Sequence, residues 1–150
     1  MSTPTPSPSR QGAFWDMLEG RTPPPPIADL LGWELVAIDP DAGTIEVAFD
    51  ASERFLNPAG DIQGGILTAM LDDTLGPAFV ATLDAGEFAP TIDLQVQFHR
   101  PARPGRLVGR GRVVRRGREI GFLAGELSDA DGTVLATATA TAAVRRMRAS

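Results

Sequence analysis

The sequence predicts an α+β fold in which one long central helix is wrapped by a curved antiparallel sheet of five to six strands. The first observation behind this is an apolar run that opens at Gly64-Gly65 and continues to about Leu83, holding Ile66, Leu67, Met70, Leu71, Leu75, Phe79 and Val80. A helix apolar on nearly every side must sit inside something. The second is the strict two-residue alternation of Thr91 to His99, with Ile92, Leu94, Val96 and Phe98 on one face and polar residues on the other. The third is the succession of long hairpins after the helix, which implies a sheet curling round a single rod.

Taken in order, residues 1–12 read as a disordered tail, rich in Ser, Thr and Pro to residue 10. Phe14, Trp15, Met17 and Leu18 suit a short amphipathic helix, which Gly20 and the stiff spacer Pro23 to Pro26 bring to an end. Residues 13–26 thus form a helix and spacer ahead of a main domain over 27–145. A second short helix spans Ile27 to Leu31. Two strands follow within 33–50, turned at Asp39-Pro40-Asp41-Ala42-Gly43, and Ile45, Val47 and Phe49 mark an inward face. After the long helix and a turn at 83–86 comes the 91–99 strand. A hairpin of 106–116 and 118–128 turns at Arg116-Gly117, and a last strand of alternating Thr and Ala covers 133–144. Pro77, inside the helix, removes the hydrogen bond to the Asp73 carbonyl and predicts a kink.

Composition removes several function classes. The chain has no cysteine and one histidine, His99, so a disulfide framework, a thiolate or histidine metal site and a Ser-His or Cys-His triad are all disfavoured. Neither a signal-peptide core nor an apolar run of membrane-spanning length occurs, so the expectation is a soluble cytoplasmic protein. Charge is uneven: residues 1–99 hold 15 acids and 3 arginines, whereas residues 100–150 hold 11 arginines and 4 acids, with no lysine anywhere. Those arginines fit a subunit contact, plain solvation of strands, or a phosphate-bearing ligand, because guanidinium matches phosphate in a bidentate way. The acidic whole disfavours nucleic acid.

What remains is carboxylate chemistry. Asp72 lies inside the apolar run, on a small and polar stripe with Gly65, Thr68 and Gly76 along which a cleft can lie. The Gly64-Gly65 pair, where the chain enters the helix, offers unpaired N–H groups and a partial positive charge to a developing oxyanion, or else it only permits close packing. Asp72 is eight residues beyond Gly64, about 12 Å along a helix. Reacting groups must come within roughly 3–4 Å. If both serve one reaction, the site is shared across a dimer.

Asn57-Pro58-Ala59-Gly60, Gly64-Gly65 and Asp72, followed by Thr91-Ile92-Asp93, Phe98-His99-Arg100-Pro101-Ala102 and the arginine hairpin at 115–118, resemble the hotdog-fold acyl-CoA thioesterases of the phenylacetate-degradation (PaaI-like) type. The resemblance runs over about residues 27–145. It implies that the Gly64 N–H polarises a thioester carbonyl, that Asp72 of the partner subunit is nucleophile or general base, and that Asn57 orients the carbonyl or the water. Thr91 falls beside the acid. Phe98, Arg100, Arg103, Arg115, Arg116 and Arg118 fall with Gly65 and Thr68 in the substrate-binding set, the arginines where coenzyme A phosphates and pantetheine bind. Gln63 stands where many members carry histidine, and it can position but not titrate. The resemblance further implies an aryl- or medium-chain acyl-CoA substrate, no metal or cofactor, and a homodimer that pairs into a homotetramer. A non-catalytic acyl-CoA-binding protein and a hydratase of the same fold are the rival readings.

Overall fold

The computed structural model describes residues 10–148. The chain forms α1 (Ala13–Leu18), α2 (Pro26–Leu31), β1 (Glu34–Asp39), β2 (Thr44–Ala51), a 3-10 turn at Glu53–Phe55, α3 (Gly64–Val80), β3 (Glu87–Phe88), β4 (Thr91–Phe98), β5 (Gly105–Arg116), β6 (Ile120–Asp129), β7 (Val134–Ala143) and β8 (Arg145–Arg146). Six strands make one antiparallel sheet in the order β1-β2-β5-β6-β7-β4, and β3 pairs with β8 in a separate ribbon. This is the expected hotdog arrangement of one long helix against a curved sheet. The tail expected at 1–12 lies largely outside the described residues; Arg10, within them, ion-pairs with Asp41 at 3.0 Å and lies over the Trp15 ring.

The two-residue period of the strands delivers their apolar halves to α3. Val47 of β2 lies opposite Gly109 of β5, which lies opposite Leu127 of β6; Leu123 of β6 lies opposite Ala140 of β7. Against this surface α3 packs Leu67, Met70, Leu71, Leu75 and Phe79, all buried. Each large side chain so buried contributes about 1.5–3 kcal/mol relative to an exposed one. In β7 the alternation resolves by size, with Ala136, Ala138, Ala140 and Ala142 buried beneath the helix and the threonines on the outer face.

Glycine sets how closely helix and sheet approach. A Cβ on Gly109 would lie 2.2 Å from the Thr74 Oγ1, and one on Gly121 would lie 2.5 Å from the Phe79 ring. Both distances are too short for non-bonded neighbours in a packed core, so only glycine lets α3 lie this low.

Pro77 does leave the Asp73 carbonyl without its helical donor. The indole Nε1–H of Trp33 supplies one instead, at 2.9 Å. An unpaired buried carbonyl costs about 1–3 kcal/mol, and this bond removes that cost. Trp33 thus repairs the helix from outside it. The helix ends at Val80 rather than near Leu83, and Ala81, Thr82 and Leu83 continue as hydrogen-bonded turns.

β4 departs from the uniform inward face that its alternation predicts. It is an edge strand; Leu94 and Val96 are half-buried against the core, while Ile92 and Phe98 are 58% and 54% exposed. From Asp93 to Phe98 its ladder with β7 is regular, and its other side carries no neighbour. An apolar edge of this length normally pairs with something.

Candidate active site

The lead into α3 is built on Asn57. Its Oδ1 accepts from the backbone N–H of Ala59 at 2.9 Å and of Asp61 at 3.1 Å, and its own N–H donates to the Asp61 carbonyl at 2.7 Å. Because both side-chain partners are N–H donors, the accepting atom is the amide oxygen, and the Nδ2 group keeps two donors for something else. The loop is tied to the segment after β4 by Ile62 N–H donating to the Ala102 carbonyl at 2.9 Å.

Gln63 caps α3 through its backbone only: its carbonyl accepts from Ile66 and Leu67, and its exposed side chain makes no capping bond. The N–H groups of Gly64 and Gly65 consequently have no protein acceptor among the described residues. Beside them lies an open pocket of about 320 Å³, lined by Asn57, Gly64, Leu67, Phe98 and Arg100 among others. The Phe98 ring approaches Gly64 so closely that a Cβ there would be 3.1 Å from it. Four of the residues expected to act together are therefore neighbours: Asn57, Gly64, Phe98 and Arg100.

Asp72 is not among them. It lies on the exposed flank of α3, eight residues or about 12 Å further along, and its Oδ1 accepts a hydrogen bond from the Thr91 hydroxyl at 2.8 Å. Thr91, at the start of edge strand β4, fixes the carboxylate in one orientation and leaves its other oxygen uncommitted. Gly65 is open, with nothing within 4 Å of its Cβ position, and the Thr68 hydroxyl donates to the Gly64 carbonyl at 2.8 Å. The small stripe thus runs from the pocket toward Asp72 without filling the space above it.

Asp73, the next residue of α3, is a perturbed acid. Burial, and secondarily the charge of Asp72, push its carboxyl up from an ordinary 3.8 to about 6. Its Oδ2 is buried with no hydrogen-bond partner among the described residues. Its position next to Asp72 within an apolar run was the only sequence signal of this.

The arginines fall into two groups at opposite ends of α3. Arg100 and Arg103 follow β4 at the Gly64 end, both exposed. Arg115, Arg116 and Arg118 lie at the β5–β6 turn, where Arg116 stands 5.2 Å over the ring of Phe79, in the last turn of the helix. Fifteen residues separate Gly64 from Phe79, about 22 Å, so the two groups do not converge within one chain. Sequence reasoning also passed over Arg145 and Arg146, which β8 brings beside β3. Among the described residues, no group of three or more His, Cys, Asp or Glu could hold a metal ion, and no helix is long and apolar enough to cross a membrane.

Comparison with known proteins agrees with this fold. A Saccharolobus solfataricus protein with a provisional esterase name is 30% identical over 105 residues, 70% of this chain and 74% of the relative. A crystal structure of a phenylacetic acid degradation-related protein from Ralstonia eutropha JMP134, provisionally called a thioesterase, superposes with a TM-score of 0.84 at 46% identity, covering 87% of this chain and 98% of that one. A Streptococcus mutans protein solved with acetyl-CoA bound has a TM-score of 0.69 at 23% identity, over 78% of this chain and 91% of its own. The sequence pattern of the thioesterase superfamily matches residues 59–136, from just past Asn57 through α3 and β4 to the start of β7; the chain belongs to that superfamily and is a thioester hydrolase of the hotdog fold.

Proposed function

We propose that the protein hydrolyses an aryl- or medium-chain acyl-CoA to the free acid and coenzyme A, at two sites shared across a homodimer. The observation that carries this reading is the separation of the parts: Asn57 and the Gly64 N–H share one pocket, while Asp72, anchored by Thr91, faces outward beside the bare β4 edge. Two chains joined antiparallel along β4 would bring the Asp72 of each opposite the Gly64 of the other. The Streptococcus mutans relative with acetyl-CoA bound is consistent with a coenzyme A ester as the ligand.

In this mechanism the thioester carbonyl accepts from the Gly64 N–H, and the free Nδ2 of Asn57 orients the carbonyl or the attacking water. Asp72 of the partner subunit takes a proton as the water oxygen bonds to the carbonyl carbon, and the tetrahedral oxyanion is stabilised at the helix N-terminus. Collapse breaks the C–S bond, and coenzyme A leaves as a thiolate that regains the proton. Direct attack by the carboxylate, through an anhydride that water then opens, uses the same two parts. Gln63 would position but transfer no proton.

The same antiparallel register accounts for the two arginine groups. With Asp72 of one chain opposite Gly64 of the other, the hairpin end of the first chain falls about 10 Å beyond that Gly64. A pantetheine arm spans this distance. Arg100 and Arg103 of one chain and Arg115, Arg116 and Arg118 of its partner would then meet one coenzyme A. Pairing of two dimers into a tetramer and a cytoplasmic location, where acyl-CoA is supplied, belong to this reading. The test is Asp72→Asn assayed by release of free thiol: turnover is expected to fall about 10³-fold or more while binding of the CoA ester persists. Retained hydrolysis would count against Asp72, and binding by the wild type without thiol release would favour a non-catalytic acyl-CoA-binding protein.

A further inference from the structure

The β3–β8 ribbon is bolted to the turn that carries the hairpin arginines. Val144 N–H donates to the Glu119 carbonyl at 2.8 Å, Met147 N–H to the Gly86 carbonyl at 2.8 Å, and Arg146 lies directly opposite Glu87. Glu87 is held in place: its side chain is 12% exposed, its Oε1 accepts from the Asp84 N–H at 2.8 Å, and Arg116 approaches it at 3.9 Å. Arg116 is further fixed by its stacking over Phe79. Facing residues on neighbouring strands lie on the same side of a ribbon, about 5 Å apart at Cβ. Arg146 is thus presented beside Arg116, whereas Arg145, opposite Phe88, points to the other side.

Charge at this place is in excess. The one fixed carboxylate, Glu87, is approached by the Arg116 guanidinium, and neither Arg146 nor the nearby Arg118 has a carboxylate within 4.0 Å among the described residues. A neutralising role is therefore filled by Glu87 and Arg116 alone, and Arg146 is left over. An exposed, unpaired guanidinium next to the fixed Arg116 is suited to take a phosphate monoester or diphosphate.

We propose that Arg146 is a specificity-determining residue for the nucleotide phosphates of a coenzyme A thioester, separating it from thioesters that end at pantetheine. This rests on the acyl-CoA reading above. The ribbon then acts as a strap that docks the phosphates of a substrate whose thioester lies in the pocket of the opposite subunit.

The test compares Arg146→Gln and Arg146→Lys with Arg145→Gln as the control from the other side of the ribbon, each assayed on an acyl-CoA and on the matching acyl-pantetheine. The expected result for Arg146→Gln is a KM for the CoA ester raised about tenfold at unchanged kcat, with KM for acyl-pantetheine unmoved. Arg146→Lys should recover part of the loss, since it restores the charge but not the fork, and Arg145→Gln should change neither substrate. Equal KM values for the CoA ester in Arg146→Gln and wild type, or parallel changes on both substrates, would overturn the role of Arg146 while leaving hydrolysis intact. Failure of the wild type to hydrolyse either substrate would instead remove the acyl-CoA reading and this inference with it.

Discussion

Asp73 carries a cost in the folded chain. A carboxyl pushed up to about 6 keeps its proton in the folded chain over a range where the unfolded chain, near 3.8, has released it. Stability therefore falls as pH rises from about 4 to 6, and the loss is fully present above that window. Replacing Asp73 with Asn should raise the melting temperature at pH 7.5 by roughly 2–4 °C, corresponding to about 1 kcal/mol after allowance for its partial exposure. The gap should close by about pH 4, and a gap independent of pH would show that desolvation of the charge is not the cause. At this scale the sequence was legible where chemistry conflicted with surroundings: acids in an apolar helix and a proline beneath the Asp73 carbonyl both pointed to places where the structure answers. It was silent on the answers. That the Trp33 indole repairs the carbonyl, or that Thr91 holds Asp72, depends on contacts across 40 and 19 residues of chain. Thr91 was reached through family resemblance rather than through any property of the residue itself.

Elements were read well wherever period and length agreed. α3 and the long strands announced themselves by periodicity, and the turns by Asp, Pro and Gly. Two-residue strands such as β3 and β8 have no period to detect, so the ribbon that carries Arg146 could not be foreseen. Nor does alternation distinguish an edge strand from a central one, which is why the exposure of Ile92 and Phe98 emerged only with the sheet order. The spacing between α3 and the sheet is set by glycines whose role is likewise invisible in one dimension. Gly109→Ala would place a methyl group against Thr74 and 3.2 Å from Phe49. A destabilisation of about 1–3 kcal/mol is expected in chemical denaturation. Adding Thr74→Ala should recover a substantial part of it; strictly additive losses would mean that the contact is not the source.

Across the whole molecule the charge asymmetry acquires a direction. Arg100 and Arg103 lie at one end of α3 and Arg115, Arg116 and Arg118 at the other, while Arg106 and Arg110 pair with Glu34 and Glu46 along the sheet; Asp72 stands between the two end groups on an open flank. In the function proposed above, one chain holds two incomplete halves of a site, and a two-fold arrangement along β4 would complete both at once. Composition showed that arginine was concentrated, but only the fold separated Arg100 and Arg103 from Arg115, Arg116 and Arg118. The central claim is that Asp72 serves the pocket of the opposite subunit, and hybrid dimers test it directly. Asp72→Asn and Asn57→Ala chains, each inactive alone, are co-assembled with distinct tags, and thiol release is measured on the purified heterodimer. One site in that heterodimer combines an intact Asn57–Gly64 pocket with an intact Asp72, so about half of the wild-type activity per dimer is predicted. Heterodimers no more active than their parents would contradict the shared site.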